Sequence, residues 1–471
     1  MEIYVHVPFC VRKCRYCDFY SVPCGGAEVP GCGWADSTGA ARRTGDYVTA
    51  LLKELDARED ELRGQEITSI FVGGGTPTLL SCAELEKLIT GIRSRVSFTS
   101  RDKRSSDDSK EADDFATLGI RGAYCFVEVY DEKTQSVGNR LQREKTEFTV
   151  ECNPGTLDTE KLTLMRQLGV NRLSIGLQSA DNAELKTLGR IHTYEEFLKN
   201  YETAREVGFC NINVDLMSGI PGQTIESFER TLRTVAGLEP EHISVYSLIL
   251  EEGTPLYSDV EAGRILLPGE DADRQMYELT GKVLAEYGYE RYEISNYARP
   301  GYRCRHNMGY WTGEEYLGLG PAAASYLGYR SNGRVPVKEN MINEKGGQLG
   351  KSCDRIDSDG TTDSELGTIM CRYKNPADIT AYLADPAGVR TVEERLDKKD
   401  LMSEYMILRL RLTDGASISE FAKRFGVDPR DIFSEPIGKF ESLGLLRCTE
   451  DSIVLTEKGL DVANTVMCEF I

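Results

Sequence analysis

The chain has 471 residues, 76 acidic against 56 basic, and a net charge of −20. That balance argues against nucleic acid as the main partner, because phosphate binding draws on a surplus of lysine and arginine. Fourteen cysteines with no secretory leader point to a reducing compartment where thiols hold metals, and no apolar run has the length of a bilayer, so a cytoplasmic, soluble, multidomain protein is expected, as a monomer or dimer.

From residue 3 to about 250, short β-branched runs alternate with amphipathic stretches. Strands are predicted over 3–7, 68–72, 148–152, 172–176, 210–216 and 243–248, and helices over 46–62, 82–95, 158–168, 194–207 and 225–236. Repeated strand–helix units with right-handed crossovers give a parallel sheet. Six units predict an α/β fold, an open (β/α)6 partial TIM barrel, with its chemistry at the C-terminal ends of the strands. Stretches 22–44, 97–146 and 330–365 read as inserted loops; 97–114 in particular is polar and charged with almost nothing to bury.

Three domains are expected: 1–250 as the core, 251–395 as a barrel extension and connecting region, and 396–471 as a mainly helical C-terminal domain. In the last, helices over 398–412, 418–425 and 436–443 precede strands at 445–448 and 453–456, a winged-helix-like end. Its cations are outnumbered by neighbouring acids, so a packing or substrate-covering role is read in preference to DNA binding.

Cys10, Cys14 and Cys17 are spaced C-x3-C-x2-C. Three soft thiolates on one short loop suit an iron–sulfur cluster. A 4Fe–4S cube wants four thiolates, so three leave one iron open to an outside ligand. A structural zinc loop is the plainer alternative, but zinc favours paired C-x2-C units. Cys24 and Cys32 could be drafted, and incidental thiols are the default for both.

The cysteine loop, Gly73-Gly74-Gly75-Thr76-Pro77, Glu151-Cys152-Asn153-Pro154-Gly155, the stretch from Arg172 to Ser179 and the stretch from Asn213 to Thr224 occur in that order. Together they resemble the radical S-adenosylmethionine (SAM) superfamily, and within it the HemN/HemW branch of oxygen-independent coproporphyrinogen dehydrogenases and heme chaperones. The resemblance runs from residue 3 to the C-terminus apart from the insertions and 22–44. It implies that Cys10, Cys14 and Cys17 hold a 4Fe–4S cluster whose open iron chelates SAM. It further implies that Tyr4, Gly73, Gly74, Gly75, Thr76, Glu151, Gln178, Arg190 and Asp215 surround SAM. Carboxylates suit ribose hydroxyls and a sulfonium charge, and arginine suits a carboxylate. A strand-end cap or a surface ion pair is the plainer reading for each.

Two features separate the members of the branch. The dehydrogenase pattern carries a further cysteine two places beyond the third, where this chain has Phe19 after Asp18, the chaperone form. His306-Asn307-Met308-Gly309-Tyr310-Trp311 resembles the His-Asn-x-x-Tyr-Trp motif of the chaperones, which implies heme contact through His306, with Cys304 a competing ligand. Three readings follow: a heme chaperone that binds heme, cluster and SAM and serves heme-acceptor proteins, membrane-associated respiratory proteins among them; a radical decarboxylase of coproporphyrinogen propionates; or a radical enzyme acting on RNA or another substrate. Phe19 weighs against the second and acidity against the third.

Overall fold

The computed structural model describes residues 1–24, 37–97, 125–131, 136–142, 146–328, 370–388 and 390–471. Six parallel strands form the frame: β1 (Glu2–Val7), β2 (Ser69–Gly74), β3 (Glu147–Cys152), β4 (Arg172–Gln178), β5 (Ile212–Ser218) and β6 (His242–Ser247). Each pairs with the next in sequence order. This is the expected open (β/α)6 barrel.

The sheet then grows at both edges to twelve strands. Beyond β6 lie β7 (Glu290–Arg291) and β8 (Asn296–Ala298), with β8 antiparallel to β6. Beyond β1 lie β9 (Tyr316–Leu319), parallel to it, and then the antiparallel β10 (Ala324–Gly328), β11 (Met370–Lys374) and β12 (Thr391–Leu396). Residues 251–395 therefore extend the same sheet on both sides.

The crossover helices are α1 (Ser37–Ala57), α2 (Cys82–Arg93), α3 (Thr159–Gln167), α4 (Asn182–Leu188), α5 (Tyr194–Glu206) and α6 (Ile225–Ala236). Capping boxes at Ser81/Glu84, Thr193/Glu196 and Thr224/Ser227 fix where α2, α5 and α6 begin by satisfying exposed N–H groups of the first turn. Helix α1 starts at Ser37, inside the stretch expected to be an inserted loop, and α4 was not anticipated. The expected insertion over 97–146 holds an antiparallel pair, Cys125–Asp131 with Ser136–Gln142, while 98–124 and the expected loop over 330–365 lie outside the described residues.

Successive strand residues point to opposite faces. One set, including Ile3, Val5, Ile70, Val150, Leu173, Ile175, Val214 and Ile243, is fully buried in the main core with the helices. The other set faces the barrel interior, where branched apolar residues are the norm. Here it is polar: Glu2, Ser69, Glu147, Arg172, Ser174, Asn213, Asp215, His242 and Ser244. Hydrogen bonds lace it together, among them Asn213 Nδ2 to Ser174 Oγ at 2.7 Å and to Asp215 Oδ1 at 2.7 Å. The ring of His242 joins Asn213 Oδ1 at 2.6 Å and the Tyr292 hydroxyl at 2.8 Å. A polar interior leaves a barrel that can take a polar ligand instead of a packed plug.

Helix α7 (Pro255–Glu261) follows β6, and α8 (Arg305–Thr312) lies across the N-terminal ends of β1, β2 and β3. Glu147 accepts the backbone N–H groups of Arg305 at 3.1 Å and His306 at 3.3 Å, so the start of α8 is capped by a strand carboxyl from beneath the barrel. The C-terminal region packs a second core around Met406, Phe421, Phe440, Ile453 and Phe470. Its helices Lys398–Arg409, Ile418–Phe425 and Ser434–Ser442 carry a three-stranded sheet of Ala416–Ser417, Ser452–Leu455 and Leu446–Cys448, the expected winged-helix-like end. It is joined to the barrel through α8, where the Arg411 guanidinium sits 4.3 Å from the Trp311 ring centroid.

Candidate functional site at the open end of the barrel

After β1 the chain turns into the cysteine loop, which neighbouring elements pin from several directions. The Arg12 guanidinium donates to the Gly189 carbonyl at 2.8 Å, the Arg15 N–H donates to the Leu188 carbonyl at 3.1 Å, and Leu256 N–H reaches the Arg15 carbonyl at 2.9 Å. Arg15 also pairs with Asp259 on α7. Cys10, Cys14 and Cys17 are free thiols, each half-buried. Burial raises the Cys10 thiol, and it pushes Cys17 up to about 11 although the Phe19 N–H bonds to it. Arg190 donates to the Cys14 sulfur at 3.5 Å, tying the loop to the turn after α4.

The glycine turn ends β2 directly beside this loop. Gly75 N–H donates to the Val7 carbonyl at 2.8 Å and Thr76 N–H to the Phe9 carbonyl at 2.6 Å. A Cβ at Gly75 would meet the Phe9 and Val7 carbonyl oxygens at 2.6 and 2.7 Å, and Gly74 has φ +100° with its Cβ direction filled by the His6 ring. Only glycine lets the two backbones approach so closely. Gly74 N–H donates to Glu151 Oε2 at 2.9 Å, and Asn153 Nδ2 donates to Thr76 Oγ1 at 2.7 Å.

Opposite stand Gln178, Arg190 and Asp215. Gln178 has φ +78°, at a register shift where β4 meets β5, a strained conformation for a non-glycine residue that re-aims the strand end. Arg190 is half-buried and donates to Asn153 Oδ1 at 2.5 Å and to the Gly176 carbonyl at 2.6 Å, leaving its Nε without a partner among the described residues. Burial pushes the Glu151 carboxyl up to about 7, with the charge of Asp215 adding to the effect. Asp215 is likewise raised by burial, although Asn213 hydrogen-bonds to it.

Cys10, Cys14, Cys17, Gly74, Gly75, Thr76, Glu151, Gln178, Arg190 and Asp215 all line one cavity of about 490 Å3 at the C-terminal ends of the strands. Tyr4, Gly73 and His306 do not line it. Gly73 packs on the Glu151 carboxyl. Tyr4 bonds through its hydroxyl to His6 Nδ1 at 3.0 Å. His306, on α8 at the opposite end of the barrel, is 2% exposed. Its ring stacks on Phe71 at 5.0 Å between centroids, and Nδ1 lies 2.8 Å from Ser69 Oγ. Burial pushes its pKa down to about 3, so the imidazole is neutral. The competing Cys304 is buried too, its sulfur 3.4 Å from Glu147 Oε1.

Comparison with known proteins agrees with this geometry. The family model described as the radical SAM superfamily matches residues 4–235, and that of the HemN C-terminal domain matches 396–462. The heme chaperone HemW of Bacillus subtilis is 31% identical over 99% of this chain and 98% of its own length. That of Escherichia coli is 31% identical over 79% and 82%. The chain belongs to the radical SAM superfamily. It falls in the HemN/HemW branch; the solved coproporphyrinogen III oxidase (HemN) of Escherichia coli superposes with a TM-score of 0.69 at 20% identity, covering 100% of this chain and 89% of that one.

Radical SAM proteins hold a 4Fe–4S cluster and SAM, and the donor set here fits both. Among the described residues no three Cys, His, Asp or Glu side chains converge on a single ion; the three thiols line the cavity together, as a cluster requires when each thiolate meets its own iron. Cys10, Cys14 and Cys17 would hold it, and when bound it supplies an electron and an iron open to an amino-acid group. The charge of Asp215 adds to the cost of ionising Glu151, which a cationic ligand such as a sulfonium relieves. The half-buried Arg190 suits a carboxylate.

Tyr16, Arg172, Ser174, Asn213 and Asn307, which fall within the quoted motifs but carried no expected site role, line the same cavity, as do Ser244 and Tyr246 outside them. The available signal was polar residues at every second position of otherwise apolar strands. Asp215→Asn should weaken SAM binding to the cluster-loaded protein by about 1.5–3 kcal/mol, roughly ten- to a hundredfold, measured by calorimetry. Unchanged affinity would place Asp215 outside the SAM contacts.

Proposed function

We propose that this chain is a heme chaperone, which binds heme, carries the cluster and SAM, and passes heme to acceptor proteins. The observation that carries the reading is its end-to-end likeness at 31% identity to a relative named a heme chaperone, against 20% for the coproporphyrinogen III oxidase whose fold it shares. Phe19, at the place of that enzyme pattern's further cysteine, supports it. In this reading Cys10, Cys14 and Cys17 carry the cluster, and Gly74, Gly75, Thr76, Glu151, Gln178, Arg190 and Asp215 bind and orient SAM. The thiol-rich composition suits a reducing cytoplasm, with membrane-associated respiratory proteins among the acceptors, the chaperone acting as a monomer or dimer. Among the described residues no helix is long and apolar enough to cross a membrane.

The test supplies coproporphyrinogen III, SAM and a reductant under anaerobic conditions, and in parallel heme and a heme-free acceptor. Heme transfer without substrate-dependent carbon dioxide is expected. Carbon dioxide release that requires coproporphyrinogen would replace this reading with the oxidative decarboxylase.

A further inference from the structure

A heme chaperone must offer heme a surface, and the structure buries the residue expected to provide it. His306 is enclosed by Phe71, Tyr4 and Tyr310 at the α8 end of the barrel, behind Phe71 and outside the cavity lining. Large apolar side chains stand exposed at the other end. Phe19 is 70% exposed, Ile191 54%, Tyr246 41% and Val11 36%, and all four line the cavity mouth. They come from the loop after β1, from the connection between α4 and α5, and from the end of β6. Ile249, just beyond β6, is 69% exposed. Single exposed apolar residues are ordinary, whereas several gathered around one opening mark a binding surface.

Charge narrows the occupant. The protein as a whole is at −20, which repels anions, yet Arg12 and Lys13 follow Val11 on the same lining. Of the acids on the rim, Asp18 adjoins Phe19 on the same loop and Glu251 follows β6, while Arg12 and Lys13 stand on the loop's other limb, before Cys14. An apolar surface with cations at one margin matches a flat apolar disc that carries carboxylates at one edge.

We propose that heme seats on this rim, with its face against Phe19 and Ile191 and its propionates toward Arg12 and Lys13. The inference rests on the heme-chaperone reading and adds the site. The porphyrin face would shield apolar area that otherwise stays in water, beside the cluster loop and without opening the barrel to reach His306.

The test titrates heme into the full-length, cluster-loaded protein and follows the Soret difference absorbance, with iron and sulfide content matched across variants. Phe19→Ser should weaken heme binding roughly tenfold or more, and Lys13→Glu several-fold, while His306→Phe leaves it unchanged. Both rim side chains are exposed, so folding should be retained. If the unaltered protein binds heme and both rim variants bind equally well, the rim is not the heme site and the chaperone reading stands. Unaltered protein that binds no heme overturns the chaperone reading and the rim assignment with it. Rim variants that keep heme affinity but lose transfer would make the rim an acceptor-docking surface and overturn the proposal.

Discussion

Cys14→Ala should reduce the iron and sulfide content of anaerobically reconstituted protein to background and abolish SAM binding as a consequence. Three thiolates are the fewest that leave a 4Fe–4S cube with one open iron, so removing one leaves two irons without a protein ligand. The fold should survive. Cys14 is half-buried, and the loop is held without its sulfur by the Arg12–Gly189, Arg15–Leu188 and Leu256–Arg15 hydrogen bonds. Circular dichroism of the variant should therefore match that of the unaltered chain. Cys24→Ala is the informative companion. Cys24 N–H donates to the Cys10 carbonyl at 2.7 Å, which brings a fourth thiol near the loop, but that thiol does not line the cavity, and burial pushes it up to about 11. Its loss should leave cluster content unchanged. A Cys14→Ala protein that keeps a full cluster, and loses it only when Cys24 is also removed, would assign the third thiolate to Cys24.

The contrast between these two cysteines reflects what sequence can carry. Cys10, Cys14 and Cys17 share one loop, so their spacing alone announces their use. Gly74, Gly75 and Glu151 could likewise be placed, because each falls at the end of an apolar β-branched run and parallel strands in sequence order bring such ends together, whereas Asp215 lies mid-strand in β5 and faces the barrel interior. Local signals were weaker elsewhere. The glycine- and proline-rich composition after Val22 concealed the start of α1, and α4 is seven residues long, too short for helical periodicity to stand out. The polar barrel interior was written in the alternation of Arg172 with Ser174, Asn213 with Asp215 and His242 with Ser244. It has meaning only once the strands close around one another. His306 exposes the other limit. Its motif is local, but its environment is made by Glu2, Ser69, Phe71 and Glu147, up to hundreds of positions away, and burial there depends on how α8 crosses the strands.

That environment makes a second large effect. His306→Ala should destabilise the protein by about 2–4 kcal/mol and lower its unfolding midpoint by a few degrees, while heme affinity stays unchanged. The ring fills space between Phe71, stacked at 5.0 Å and 21°, and Tyr310, edge-on at 5.0 Å and 82°. Truncation would leave a void among buried side chains that α8 cannot collapse into, because its Gly309 already sits against the Glu2 carboxyl. The polar contribution can be separated from the packing. Ser69 Oγ donates to Glu2 Oε1 at 3.0 Å, so its contact with His306 is a donation from Nδ1–H, which leaves the Nε2 lone pair free; among the described residues it has no partner. His306→Phe keeps the stacked ring and gives up that one bond, and should cost only about 0.5–1.5 kcal/mol. The order of midpoints is therefore unaltered protein, then phenylalanine, then alanine, read by thermal unfolding of cluster-loaded samples. A free lone pair is also what a heme ligand would offer. If the phenylalanine variant is as stable as predicted yet fails to bind heme, the imidazole must reach the porphyrin, and the barrel must open at α8 to let it do so.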